Sequence, residues 1–128
     1  MSTIEEITQR DVLILTEDTP IRRAVAQMVE AKAAAALVSD DSGRLVGILT
    51  QKDCFRPALH ASYYQDWDGN VGDFMTKEPV NLPVSTNLVA AAEAFQSYPH
   101  REFPVLDGEK LVGLLHRSDV LAQLLAMS

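Results

Sequence analysis

Two short stretches carry the residue types from which a ligand site can be built. Gly47, Thr50 and Asp53 stand in Leu45-Val46-Gly47-Ile48-Leu49-Thr50-Gln51-Lys52-Asp53, and Gly113, His116 and Asp119 stand in Leu111-Val112-Gly113-Leu114-Leu115-His116-Arg117-Ser118-Asp119. In the first stretch the glycine lets another group approach a strand closely. The Thr50 hydroxyl falls at a helix start, where free N–H groups can hold an anion, and the Asp53 carboxylate can accept both hydroxyls of a cis-diol. The same Thr-x-x-acid spacing is that of a helix capping box, in which the two side chains satisfy backbone N–H groups of the first turn; the two roles are compatible. In the second stretch His116 takes the hydroxyl position. The box is lost there, while Asp119 keeps the favourable place of an acid in a first helical turn.

Other chemistries have less behind them. Cys54, His60, His100 and His116 show none of the paired spacings of zinc sites, so no metal is expected. No Gly-x-Ser-x-Gly elbow occurs, and Cys54 lies in a helix beginning without a cysteine-specific signature, which makes it a small packing residue. An enzyme would have to assemble a site from Asp53, Asp119 and His116 with no motif to support it. We expect no catalytic residues and no enzyme activity.

The whole chain bounds the partners. Its 128 residues amount to one domain's worth of polypeptide, and 47% hydrophobic residues with a mean hydropathy near zero describe an ordinary soluble globule rather than a disordered chain. The 18 acidic and 11 basic residues give a net charge of −7 without any basic cluster, the opposite of what a phosphate-backbone binder needs. Nucleic acid is therefore not an expected partner, although one small nucleotide needs only a local cation. The longest fully apolar run, Ala33 to Val38, has six residues, far short of the ~20 that cross a bilayer, so no membrane association is expected. One cysteine and an N-terminus without a basic and apolar leader make the cytoplasm the expected location.

The two stretches belong to an internal repeat. Five of their nine positions are identical at a spacing of 66. Upstream, Ile21, Ala24 and Met28 stand opposite Leu88, Ala91 and Phe95 at a spacing of 67, the difference being one residue in the Asp40 to Gly43 turn, where a repeat tolerates it. Each copy reads strand, helix, hairpin, helix. Val12 to Leu15 and Val80 to Leu82 are short β-rich runs. Thr19-Pro20 offers an N-cap followed by proline at the first helical position, and the matching helix of copy two is expected to start at Ser85 or Thr86 and to stop at Pro99. The hairpin of copy one joins Ala35–Val38 to Leu45–Leu49; that of copy two turns at Asp107-Gly108-Glu109.

In the closing helices, Pro57 lacks the N–H that would bond to Asp53, so the first is expected to kink or end early. The second, Arg117 to Met127, is apolar around most of its circumference and needs burial on two sides, from which a symmetric homodimer is expected. His60 to Asn70 reads as a long loop, with Tyr63, Tyr64 and Trp67 either docking another protein or covering the core or dimer seam.

Two β-α-β-β-α copies, each ending in Val-Gly-hydrophobic-Leu-x-x-x-Asp, with Val71-Gly72-Asp73-Phe74-Met75-Thr76 introducing the second, resemble the paired cystathionine β-synthase (CBS) domain family, the Bateman module. The resemblance runs from about Ile7 to Met127. It implies an α/β fold of tandem repeats packed with pseudo-two-fold symmetry, with repeat one at 8–60, an aromatic linker at 61–75 and repeat two at 76–128. It further implies a stand-alone regulatory module that needs no cofactor but binds an adenosine-containing ligand, AMP, ADP or ATP ahead of S-adenosylmethionine or NAD, in the cleft between the repeats, and signals to an unidentified partner protein.

By this resemblance Thr50 and Asp53 serve phosphate or ribose, and His116 puts a second equivalent site, with Gly113 and Asp119, in doubt. The adenine falls between Val12, Leu13 and Ile14 and the small residues Ala33, Ala34, Ala35 and Ala36. His100 and Arg101 take the phosphates, arginine being able to bind them with two hydrogen bonds, ahead of Lys52, Arg56 and Arg117. The alternative is a ligand-free scaffold that dimerises and docks proteins through the aromatic segment or the last helix.

Overall fold

The apolar runs on either side of the two Asp/Gly turns form antiparallel hairpins, and each hairpin is the centre of its own unit. The structure is a computed structural model in which residues 2–128 are described. One unit spans Val12–Pro79; the other spans Val80–Ser128 together with the N-terminal segment up to Asp11.

In the Val12–Pro79 unit the order is β1 (Ile14–Leu15), α1 (Ile21–Ala31), β2 (Ala35–Ser39), β3 (Leu45–Thr50), α2 (Gln51–Tyr64), the short α3 (Val71–Phe74) and β4 (Thr76–Lys77). The sheet runs β1-β2-β3-β4. β1 and β2 are parallel because α1 carries the chain back between them, and the other pairings are antiparallel. Leu15, Ile21, Ala24, Met28, Leu49 and Val71 form its core, each large apolar side chain contributing about 2 kcal/mol on burial.

The second unit repeats the plan: β5 (Leu82–Pro83), α4 (Leu88–Ser97), β6 (Glu102–Asp107), β7 (Lys110–His116) and α5 (Arg117–Ala126), with the sheet ordered β5-β6-β7. Its core of Leu88, Ala91, Val105, Leu115 and Val120 also takes in Ile4, which is fully buried. The N-terminal segment, a 3-10 turn over Ile4–Ile7 followed by an extended stretch, is bonded here through Ile4 N to Thr86 O at 2.9 Å. It is held again by a reciprocal pair between Gln9 and Leu114, at 2.8 and 2.9 Å.

Each repeat's leader therefore pairs into the unit built by the other: Thr76–Lys77 lies beside β3, and Gln9 lies beside β7. The sequence reading placed residues 8–11 in repeat one. It could not see the exchange because nothing local in the leaders says which glycine-bearing strand they will meet.

Several local expectations are corrected. α1 is capped at Pro20 without a side-chain bond, because the Thr19 hydroxyl is drawn to Thr16, 2.9 Å from its Oγ1. α4 starts after Asn87, whose side chain accepts from Ala90 N at 2.8 Å, while Thr86 Oγ1 turns back to Pro83 O at 2.6 Å. α2 does not end at Pro57. That residue is itself buried, and the helix continues about two turns to Tyr64 before Gln65 closes it in the left-handed conformation at φ 54°.

The stretch read as a loop accordingly begins with the last turn of α2. It ends with α3, which is fixed by a capping box between Asn70 and Asp73. Tyr63 and Tyr64 stand on the helix, 80% and 71% exposed, whereas Trp67 packs against the core of its unit.

Candidate functional site

The Thr50–Asp53 pair stands at the junction of β3 and α2. Thr50 ends β3 opposite Ala35 in the sheet register and is the N-cap of α2. Asp53 Oδ2 accepts from Thr50 N at 2.9 Å and from Thr50 Oγ1 at 3.0 Å, and Asp53 N reaches Thr50 Oγ1 at 3.4 Å. The capping box is thus present, and it uses one carboxylate oxygen. Gln51 N, the first amide of the helix, bonds to Ala34 O at 3.1 Å, which draws the alanine run against the same junction.

The adenine candidates divide. Ala35 and Ala36 are buried in the interior, while Ala34 and Ile14 are exposed and Val12, Leu13 and Ala33 are half-buried. Leu13 O accepts from Leu37 N at 3.0 Å, so the Val12 to Ile14 stretch lies alongside β2. The remaining candidates, His100, Arg101, Gly113, His116 and Asp119, belong to the other unit.

Both signature glycines are needed by the chain itself. A Cβ on Gly47 would come within 2.9 Å of Thr76 O, and one on Gly113 would overlap Gln9 O. What approaches these strands closely in the structure is the exchanged leader in each case.

His100 stacks on Tyr98 at 5.4 Å between ring centroids and lies 5.5 Å from Phe103, so it forms part of an aromatic cluster. Arg101 is exposed, its carbonyl accepting from Arg117 N at 2.9 Å. Of the weaker cation candidates, Arg56 lies over the Phe74 ring at 5.0 Å.

His116 acquires a partner that the sequence reading missed. The register of the second hairpin sets Glu102 opposite His116, where the first has Ala35 opposite Thr50. Glu102 is only 9% exposed and its Oε2 lies 3.8 Å from His116 Nδ1. The signal was available: aligning the hairpins places an acid where the other copy has alanine, directly across from the only histidine on a strand. Asp119 in turn lies 3.5 Å from Gln9 Nε2, and α5 has no side-chain cap.

The hydrogen-bonding contact to Glu102 raises the His116 pKa above its ordinary 6.5, burial opposes the rise, and the charges of Glu102 and Asp119 add to it. At 3.8 Å the pair is longer than a direct hydrogen bond, so charge attraction is its firmer component. A raised folded-state pKa gives stability that is fully present below pH 6.5 and is lost as pH rises through the folded value. We expect His116→Gln to abolish that loss, so that wild type and variant differ in melting temperature more at pH 6 than at pH 8.5. Equal differences at both pH values would rule the linkage out.

Cys54 is buried, its Sγ 3.4 Å from Thr50 O and 3.8 Å from Met28 Sδ. Burial, with the negative charge of Asp53, pushes its pKa up to about 11, so it is a protonated thiol at neutral pH and a poor nucleophile. Among the described residues no three His, Cys, Asp or Glu side chains are grouped as a metal would require, and no helix is long and apolar enough to cross a membrane.

Comparison with known proteins shows the family and the fold. The CBS domain family model matches twice, at residues 4–59 and 71–126. Inosine-5'-monophosphate dehydrogenase of Aquifex aeolicus is 32% identical over 106 residues, which cover 81% of this chain and 21% of that enzyme. The chloroplastic CBS domain-containing protein CBSX2 of Arabidopsis thaliana is 27% identical over 139 residues, covering 88% of this chain and 58% of that protein. The chain thus spans only part of either relative.

A crystal structure of CBSX2 in complex with AMP is similar over 99% of this chain and 98% of that one, at 27% identity and a TM-score of 0.84. The CBS domain pair of MJ0100, solved with 5'-methylthioadenosine and S-adenosyl-L-methionine, shares the fold at 17% identity and a TM-score of 0.82.

Proposed function

The chain belongs to the CBS domain family, and on that premise we propose that it is a regulatory CBS pair, not a catalyst, that binds an adenosine-containing ligand and passes its presence to a partner protein. The observation that carries the reading is the likeness, over nearly the full length of both chains, to a CBS pair solved with AMP. In this reading the ligand lies at the junction of β3 and α2. Asp53 Oδ2 is committed to the cap, so Oδ1 receives the ribose hydroxyls. The amides of the first turn of α2 favour a nearby anion, and the exposed Ile14 and Ala34 flank the base. AMP, ADP and ATP come before S-adenosylmethionine and NAD.

The second repeat offers a weaker equivalent. Glu102 stands where the first repeat has Ala35 and His116 where it has Thr50, so the hydroxyl and the capping box are lost and an extra carboxylate faces the position, which opposes a phosphate. A cytoplasmic homodimer completes the reading. Leu121 and Leu125 on α5 and Met127, which caps it, are 69%, 75% and 61% exposed, an apolar face that a second copy would cover.

Thermal unfolding of wild type and Asp53→Ala with AMP, ADP, ATP, S-adenosylmethionine and NAD tests the proposal. A ligand at a hundred times its dissociation constant stabilises by about 2.7 kcal/mol, a rise of several degrees at this size. The wild type is expected to show it with an adenine nucleotide and the variant to lose it; no shift with any ligand overturns the reading. The exposed Tyr63 and Tyr64 favour a second reading, a ligand-indifferent docking scaffold, in which their replacement removes partner binding and nucleotides do nothing.

A further inference from the structure

The two repeats build their strand-to-helix junctions on one plan with one difference in kind. In the first, Thr50 ends β3 with Ala35 opposite it in the sheet; in the second, His116 ends β7 with Glu102 opposite. The first junction holds no imidazole, and its Cys54 thiol, pushed up to about 11, stays protonated through the neutral range. The second therefore carries a group that gains or loses a proton near neutral pH where the first carries a hydroxyl.

The charges of two carboxylates act on His116, Glu102 from β6 and Asp119 from α5. Glu102 is almost wholly buried, with its Oε2 3.8 Å from His116 Nδ1. A carboxylate so placed cannot turn to water, and its charge is left uncompensated whenever its partner is neutral. Asp119 serves no capping box, in contrast to Asp53, and its Oδ2 lies 3.5 Å from the uncharged Gln9 side chain of the N-terminal segment. The other charged groups nearby are exposed and screened by solvent. These are Arg101, whose carbonyl accepts from Arg117 N, Arg117 itself, and Arg10 and Asp11 of the N-terminal segment.

Protonated His116 offsets Glu102 and leaves Asp119 as the one uncompensated carboxylate, the balance that Asp53 gives the first junction. Neutral His116 leaves both carboxylates uncompensated, so repulsion of an anion grows as the ring loses its proton.

We propose that the β7–α5 junction of the second repeat is a pH-gated ligand position, one that accepts a phosphorylated adenosine ligand while His116 is protonated and excludes it when His116 is neutral. The inference rests on the nucleotide-binding reading above and adds pH to it as a second input. The sign follows from the ring's partners. Glu102 raises the His116 pKa above 6.5 in the free protein, and a phosphate beside the ring raises it further. Affinity is thus full below the free-protein value and falls as pH rises through it.

Isothermal titration of the full chain with AMP at pH 6 and pH 8.5 tests the proposal. The wild type is expected to take two AMP at pH 6 and to bind the second about tenfold more weakly at pH 8.5, the change that accompanies a one-unit rise of the imidazole pKa on binding. The first AMP, held at a junction without an imidazole, is the reference for the titration of AMP itself. His116→Gln leaves the second AMP weak at both pH values. Glu102→Gln, which removes the extra carboxylate without changing its shape, makes the second AMP bind at pH 8.5 as it does at pH 6.

One AMP at both pH values, or two bound alike at both, overturns the proposal and leaves the nucleotide reading standing. So does a pH dependence that His116→Gln retains, or a second AMP that stays weak at pH 8.5 in Glu102→Gln. Absence of AMP binding at either pH overturns both.

Discussion

Replacing Gly113 with alanine is expected to detach the N-terminal segment from β7 and to destabilise the unit it completes by about 2–4 kcal/mol. The added methyl would overlap Gln9 O and crowd the Arg10 Cα. These are backbone atoms, so a side-chain rotation cannot relieve the clash. Moving them breaks the reciprocal Gln9–Leu114 bonds at 2.8 and 2.9 Å and loosens Ile4, which is fully buried in the same core.

Limited proteolysis and amide hydrogen exchange check this directly. Residues 2–11 should become cleavable and lose protection in Gly113→Ala before the Val12–Pro79 unit does. Retained protection of that segment would show that the strand accommodates a side chain after all. Gly47→Ala is the milder control: the added carbon meets Met75 Sδ at 2.5 Å, a side chain that can turn, and only grazes backbone, at 2.9 Å from Thr76 O.

Phe103→Ala is expected to cost about 3–5 kcal/mol. The ring is fully buried and is the shared partner of Phe95 at 4.5 Å, Tyr98 at 5.9 Å edge-on and His100 at 5.5 Å. Its removal leaves a void and takes the common contact from three other rings. His100 is exposed, and His100→Ala should cost under about 1 kcal/mol. Urea unfolding distinguishes the two: the midpoint should fall sharply for Phe103→Ala and slightly for His100→Ala. A large loss for His100→Ala would mean that its stacking on Tyr98 is structural, which would weaken its candidacy as a phosphate contact.

Much of the fold was legible because it rests on local signals. Turn residues between apolar runs marked both hairpins, and the structure has them at the expected places. Thr50 and Asp53 were legible as a cap because a capping box spans only four residues. The early end expected at Pro57 does not occur, because the cost of a missing hydrogen bond follows from the local sequence, whereas the burial of Pro57 in a helix that runs on to Tyr64 does not. The helix starts at Pro20 and Asn87 were misplaced by one or two residues because neighbouring threonines found other partners.

By itself, then, the sequence determined the repeat, the order of elements within it, the hairpins and the residue types at the two signature positions. These depend on periodicity, turn chemistry and identity at fixed spacing. Only the tertiary structure decided which unit each leader joins, that both signature glycines accommodate the chain's own backbone, and that Glu102 meets His116 across a strand pair. Each of these is a contact between residues far apart in the chain. Such contacts follow from how volumes and backbone hydrogen bonds are satisfied once the sheets form, and no window of sequence contains that information.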